Sequence, residues 1–201
     1  MKLTLQHLQR IISLERPQLL NSINSMIGQI DTLSDIATSF ASFANMPIPK
    51  NEKFEMGDIV RETVTLYENN ENATITLAIP EGKYFVIGDR KLMSRTITNL
   101  IINGIQAVSS DKTPQIDVSL SVLGKEKVIV EVKDNGLGIP EDIGQKVFLP
   151  NFTTKHTGSG IGLALAKRGI EHANGSIWFE TVEGIGTSFF VEMPLVIVHK
   201  L

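Results

Sequence analysis

Apolar positions near the start of the chain recur with a helical period. Leu19, Ile23, Met26, Ile30, Leu33, Ala37, Phe40 and Ala44 are spaced 4, 3, 4, 3, 4, 3, 4, the heptad seam of a supercoiled helix. Met1, Leu5, Leu8 and Ile12 repeat the spacing in a shorter piece, and Glu15-Arg16-Pro17 interrupts the two. The pattern predicts a helical hairpin over residues 1–46, either a dimerising bundle or a helix packed on its own domain. Pro47 and Pro49 cannot continue a helix, which places a linker at 47–53 and a second domain at 54–201.

Beyond the prolines the period changes. A helix is predicted from Asp58 to Tyr67, then strands at Thr74–Ile79 and Tyr84–Ile87, then a helix capped by Asp89 and running to Val108. Ile116, Val118, Leu120 and Val122, then Val128, Val130 and Val132, alternate with period two on either side of Gly124, which reads as a hairpin. Residues Asp134–Ser159 are rich in Gly and Thr and follow no period; a loop that long inside a compact domain is usually functional. A helix from Gly160 to His172, a strand at Ser176–Thr181, a Gly184–Gly186 turn and a strand at Ser188–Met193 complete the chain. About six strands and three helices point to the α/β class, a two-layer sandwich whose mixed sheet carries its helices on one face.

Composition narrows the function classes. The 201 residues are 42% hydrophobic and 20% charged, an ordinary globular balance rather than a disordered one. Nineteen basic against twenty-two acidic side chains give a net charge of −3, so no overall field would draw the chain to nucleic acid or an anionic membrane. With no cysteine there is no disulfide framework, thiolate metal site or cysteine nucleophile. Apolar runs fall far short of the roughly 20 residues needed to span a bilayer, and Gln6, His7, Gln9 and Arg10 interrupt any export signal. A cytoplasmic setting is expected.

Candidate chemistry lies around the unpatterned loop. Three glycine clusters flank it: Gly136-Leu137-Gly138, Gly158-Ser159-Gly160-Ile161-Gly162 and Gly184-Ile185-Gly186. The second leads into a helix, whose unpaired N–H groups and dipole favour an anion such as phosphate, although a single cluster is more often an ordinary turn. The P-loop signature is absent. A dinucleotide turn is disfavoured because Thr157–Gly162 follows an irregular loop instead of the first strand of a βαβ unit. On the helix after Asp89, Asn99 and Asn103 stand at i and i+4 and share one face. An Asn carbonyl suits a single protein ligand to an Mg²⁺ held mainly by triphosphate and water; the alternative is a pair of capping or core-bonded amides.

The stretch Arg95-Thr96-Ile97-Thr98-Asn99-Leu100-Ile101-Ile102-Asn103-Gly104-Ile105-Gln106-Ala107-Val108 resembles the N box of sensor histidine kinases. Asp134-Asn135-Gly136-Leu137-Gly138-Ile139-Pro140 is similar to their first glycine box, and Phe148-Leu149-Pro150-Asn151-Phe152-Thr153-Thr154-Lys155 to their F box. Gly158–Gly162 and Gly186-Thr187 complete the glycine boxes in family order. The resemblance implies the Bergerat ATP-binding fold, with ATP and Mg²⁺ as ligands. By motif, Asn103 would be the Mg²⁺ ligand and Asp134 would accept from the adenine amino group, with Thr187 supporting it. Gly136 and Gly138 would let the backbone pass close to the base. Gly158, Gly160 and Gly162, followed by Leu163, would form the ATP lid, with Lys155 a phosphate contact. A carboxylate bonded to a buried donor contributes about 1.5–3 kcal/mol, enough to distinguish adenine from guanine. Phe148 and Phe152 are lid anchors by resemblance and core aromatics by composition.

Hydrolysing members of the superfamily carry a Glu one turn before the Mg²⁺ Asn as the base that activates water. Asn99 stands there in this chain, and an amide cannot accept that proton. Slow hydrolysis and transfer to a histidine are therefore expected. The family's acceptor histidine is followed directly by an acidic residue, whereas His7, His156, His172 and His199 precede Leu8, Thr157, Ala173 and Lys200. Met1–Arg10 looks like nitrogen-regulation-type sensor kinases, in which a His-Glu-x-x-Asn-Pro-Leu motif lies immediately before this stretch. The resemblance thus implies a catalytic fragment with its acceptor upstream of Met1, unable to phosphorylate itself, drawn from a homodimer that passes phosphate to the receiver domain of a response regulator. A degenerate nucleotide-binding interaction module and an ATPase that dimerises on hydrolysis are the competing readings; the intact Asn103, Asp134 and lid glycines weigh against the first, and Asn99 against the second.

Overall fold

A computed structural model describes residues 21–31, 33, 34, 49–67, 72–155 and 160–196. The shorter first helix of the predicted hairpin, the seam positions Leu19, Ala37, Phe40 and Ala44, Pro47, Gly158, His7, His156 and His199 lie outside the described residues. Residues 21–31 are helical. Ile23 is buried and Ile30, one heptad on, half-buried, whereas Met26 and Leu33 on the adjoining stripe are exposed. No helix among the described residues is long and apolar enough to cross a membrane.

From residue 52 onward the order is β1 (Glu52–Glu55), α1 (Met56–Thr65), β2 (Thr74–Ala78), β3 (Phe85–Gly88), α2 (Arg90–Ala107), β4 (Gln115–Leu123), β5 (Lys127–Asp134), α3 (Glu141–Gly144), α4 (Gly162–His172), β6 (Ser176–Val182) and β7 (Gly186–Pro194). Five strands form a mixed sheet in the order β2-β4-β5-β7-β6, with β2 parallel to β4 and the other neighbours antiparallel. β1 and β3 pair separately, and an isolated bridge from Val86 to Leu195 ties them to the end of β7. The fold is thus α/β as expected. It differs from the sequence reading in two short elements. β1 has a single buried residue, Phe54, so its pattern carries no period, and α3 is a single turn inside the glycine-rich stretch.

One face of the sheet makes the core. Ile116, Val118 and Leu120 on β4, Val128, Val130 and Val132 on β5, and Phe189, Val191 and Met193 on β7 alternate with outward residues, because among the described residues that is the face that meets the helices. On the opposite face Trp178 stacks on Phe190 at 5.2 Å, and Lys127 pairs with Glu192 at 2.8 Å.

α2 is the central helix. Met93, Ile97, Leu100, Ile101 and Gly104 form its buried stripe, at the spacing that lines one helical face. Asp89 caps it: Oδ1 accepts the Leu92 N–H at 3.0 Å, while Oδ2 accepts the Lys50 N–H at 3.0 Å. α4 buries Ala164, Leu165, Ala166 and Ile170. It packs closely on α2 because a Cβ on Gly169 would overlap the Leu92 side chain. The polar side of α2, carrying Asn99 and Asn103, is thereby turned toward the start of α4 and the segment before it.

Candidate functional site

Asp134 is the last residue of β5, buried against α2 where Gly104 leaves room for it. A Cβ at 104 would stand 3.0 Å from the Asp134 Cβ. Its Oδ1 accepts the Gly136 N–H at 2.8 Å and the Thr187 N–H at 3.1 Å. Among the described residues nothing donates to Oδ2. Burial pushes the carboxyl above its ordinary value, partly offset by the two backbone donors. The arrangement is a fixed carboxylate with one oxygen held and one oxygen offered to a donor from outside.

Two turns of α2 bring Asn99, Asn103 and Gln106 to one side. Lys155 comes from the segment before α4, and its Nζ donates to Asn103 Oδ1 and to Gln106 Oε1, each at 2.7 Å. Desolvation holds the Lys155 ammonium below its usual value. Asn99 lies against the first residue of α4: a Cβ on Gly162 would overlap the Asn99 Nδ2. The Asn103 oxygen already faces a cation, so its donor chemistry fits a hard metal ion. No cluster of three or more His, Asp or Glu that could hold a metal occurs among the described residues, so most ligands to such an ion would come from the nucleotide and water.

Residues 88–197 match the family described as histidine kinase-, DNA gyrase B- and HSP90-like ATPases. The chain belongs to this family. It is 31% identical over 160 residues to nitrogen regulation protein NtrY of Azorhizobium caulinodans, covering 77% of this chain and 20% of that protein. It is 27% identical over 177 residues to sporulation kinase B of Bacillus subtilis, covering 87% of this chain and 41% of that protein. The nucleotide-free catalytic domain of the histidine kinase ThkA superposes with a TM-score of 0.64 at 30% identity, over 73% of this chain and 96% of that one. ThkA in complex with the response regulator protein TrrA shares the fold at 24% identity and a TM-score of 0.68, over 96% of this chain and 57% of that one. The chain spans less than half the length of the curated relatives NtrY and sporulation kinase B.

In this histidine kinase-type ATPase domain the glycines are demanded by the protein's own packing. A Cβ on Gly136 would come within 2.7 Å of the Ala107 Cβ, and one on Gly138, at φ +74°, within 2.6 Å of the Val182 carbonyl oxygen. Gly160, at φ +65°, lies on the Asn151–Phe152 backbone. Leu163 is half-buried against the core, and Phe148 packs with Phe179 and Phe189 at ring distances of 6.1 and 6.5 Å, so it anchors its segment to the sheet.

Sequence reasoning missed three residues of the site. Gln106 carries a readable signal, since it follows Asn103 by three positions on the same face. Gly104 reads as a weak helix former, and the close approach of Ile116 and Asp134 explains it. Thr181 faces Thr187 in the β6–β7 register, and its Oγ1 accepts the Ile139 N–H at 2.9 Å and lies 3.1 Å from the Gly186 carbonyl and 3.0 Å from the Thr187 hydroxyl. One hydroxyl therefore ties the first glycine box to the β6–β7 turn. Thr181→Val keeps the shape and strips these bonds, so it should cost about 1–3 kcal/mol in urea unfolding; an unchanged midpoint and slope would refute the role.

Proposed function

We propose that this domain binds ATP with Mg²⁺ and passes the γ-phosphate to a histidine, for relay to the receiver domain of a response regulator. The observation that carries the reading is Asp134, fixed at Oδ1 by two backbone amides and open at Oδ2, matching the exocyclic amine of adenine. Thr187 would complete that pocket. Asn103 would hold the metal ion, and Gly158, Gly160, Gly162 and Leu163 would form the segment that covers the phosphates. A bound Mg²⁺ would neutralise charge developing on the transferred phosphoryl group. The chain's own residues bind and orient: α2 presents Asn103, β5 presents Asp134, and Lys155 brings a positive charge to the same side. Asn99, an amide where a water-activating base would need a carboxylate, supports transfer over hydrolysis.

The acceptor is proposed to lie outside these 201 residues, because none of the four histidines is followed by an acidic residue. The membership proposed for the whole protein is the nitrogen-regulation type of sensor kinase, acting as a homodimer. The exposed Met26–Leu33 stripe beside buried Ile23 is a surface a bundle partner would cover. ThkA's assembly with a response regulator supports the same partner class here.

Calorimetric titration with a non-hydrolysable ATP analogue tests the reading. Binding in the micromolar range, strengthened by Mg²⁺ and absent for the GTP analogue, is expected, with no acid-labile label on the chain from γ-labelled ATP. Equal affinity for both purines would sink the adenine assignment. Absence of binding by folded protein would favour an interaction module without phosphotransfer.

A further inference from the structure

Lys155 donates to the oxygen of Asn103 that the proposed function gives to the metal, and shares its ammonium with Gln106 at the same 2.7 Å. Two cations cannot settle comfortably on one amide oxygen, since a monovalent and a divalent charge in contact there repel strongly in a half-buried setting. We infer that Lys155 is a resident cation of the nucleotide-free site, held over Asn103 by Gln106 as a positioning residue, and that Mg²⁺ enters by exchange with it. The inference rests on the nucleotide-binding reading.

The geometry argues for exchange rather than coexistence. Gln106 is exposed on α2, and its amide oxygen spends its bond on Lys155. It follows that Gln106 is placed to hold the ammonium, at a cost that the arriving metal must meet. Thr153 Oγ1 accepts the Lys155 backbone N–H at 3.1 Å, which fixes the main chain from which the ammonium reaches α2. The chain thus carries its own counter-charge at the phosphate side of the site. Without metal, that charge is available to the polyphosphate; with metal, it must leave Asn103.

The two roles separate in a binding experiment that needs no turnover. The affinity of a non-hydrolysable ATP analogue is measured by calorimetry, with Mg²⁺ and with chelator, on the wild-type chain, Lys155→Gln and Gln106→Met. Lys155→Gln should lose about tenfold or more in metal-free affinity but less than about threefold with Mg²⁺, so that the metal-dependent enhancement widens. Gln106→Met should tighten the Mg²⁺-dependent affinity by about threefold or more, because the metal then displaces a cation held by one acceptor instead of two. A structural defect does not produce such a gain. Equal losses with and without Mg²⁺ in Lys155→Gln would make Lys155 an ordinary phosphate contact and overturn the exchange, as would unchanged or weaker binding in Gln106→Met. A wild-type chain that binds no nucleotide at all would overturn the functional reading itself, a result distinct from either variant's failure.

Discussion

Asp134→Asn is expected to weaken adenine-nucleotide binding by one to two orders of magnitude while leaving the nucleotide-free domain at least as stable at neutral pH. The amide keeps an oxygen that can stay on the Gly136 and Thr187 N–H groups, so the pocket keeps its shape. What changes is the other atom: an NH₂ replaces Oδ2 and meets the adenine amine donor to donor, leaving both unsatisfied. The loss corresponds to about 1.4–3 kcal/mol of a charge-assisted bond. Stability moves the other way. Burial raises the Asp134 carboxyl, so the native state binds its proton more tightly than the unfolded chain does. Its contribution is greatest below the ordinary carboxylate range and is lost as pH rises through the raised value. At pH 7 the charged form is therefore a burden that the neutral amide removes. Calorimetry and thermal unfolding on the same sample check both halves; a folded variant with wild-type affinity would falsify the adenine role.

Gly186→Ala should be the most damaging conservative change in the domain, lowering stability by roughly 2–5 kcal/mol. Gly186 sits at φ +149°, a conformation that side-chain-bearing residues rarely adopt. Its added methyl would overlap the Asp134 carbonyl oxygen directly. The two strains share one location, where β7 begins beside the end of β5. Relief would have to push the β6–β7 turn away from Asp134, breaking the Thr187 bond as well. Urea unfolding should show an earlier midpoint, and any folded remainder should bind nucleotide poorly. Gly184→Ala is the internal control: its φ of +80° is strained, but nothing lies within 4 Å of the added carbon. If Gly186→Ala were no worse than Gly184→Ala, close packing against Asp134 would not be what fixes the turn.

Most of the larger elements could be read from the sequence because their patterns are set by a single buried face. β4, β5 and β7 alternate over most of their length, and α2 and α4 carry clear apolar stripes with Asp89 as a recognisable cap. What could not be read depends on long-range pairing. β3 joins β1 instead of the five-stranded sheet, a choice made by partners about thirty residues apart that no local period reveals. The candidate site divides in the same way. Asp134, Asn103 and the glycines stand in recognisable motifs. The Thr181 hub and the Gln106–Lys155 contact exist only because the fold juxtaposes segments distant in sequence.

The placement of Asp134 has a further consequence, in the timescale of opening. It terminates β5, the middle strand of the sheet, bonded to β4 on one side and β7 on the other, with Val128, Val130 and Val132 buried beneath. Amides in such a strand are expected to exchange with solvent only on global unfolding, whereas the single turn of α3, which buries no residue, is expected to open at lower free energy. The group that would choose the base is thus fixed to a central strand, whereas Lys155, which would meet the phosphates, stands outside every strand and helix. On the proposed function, local opening there would admit and release nucleotide without disturbing the carboxylate that recognises adenine.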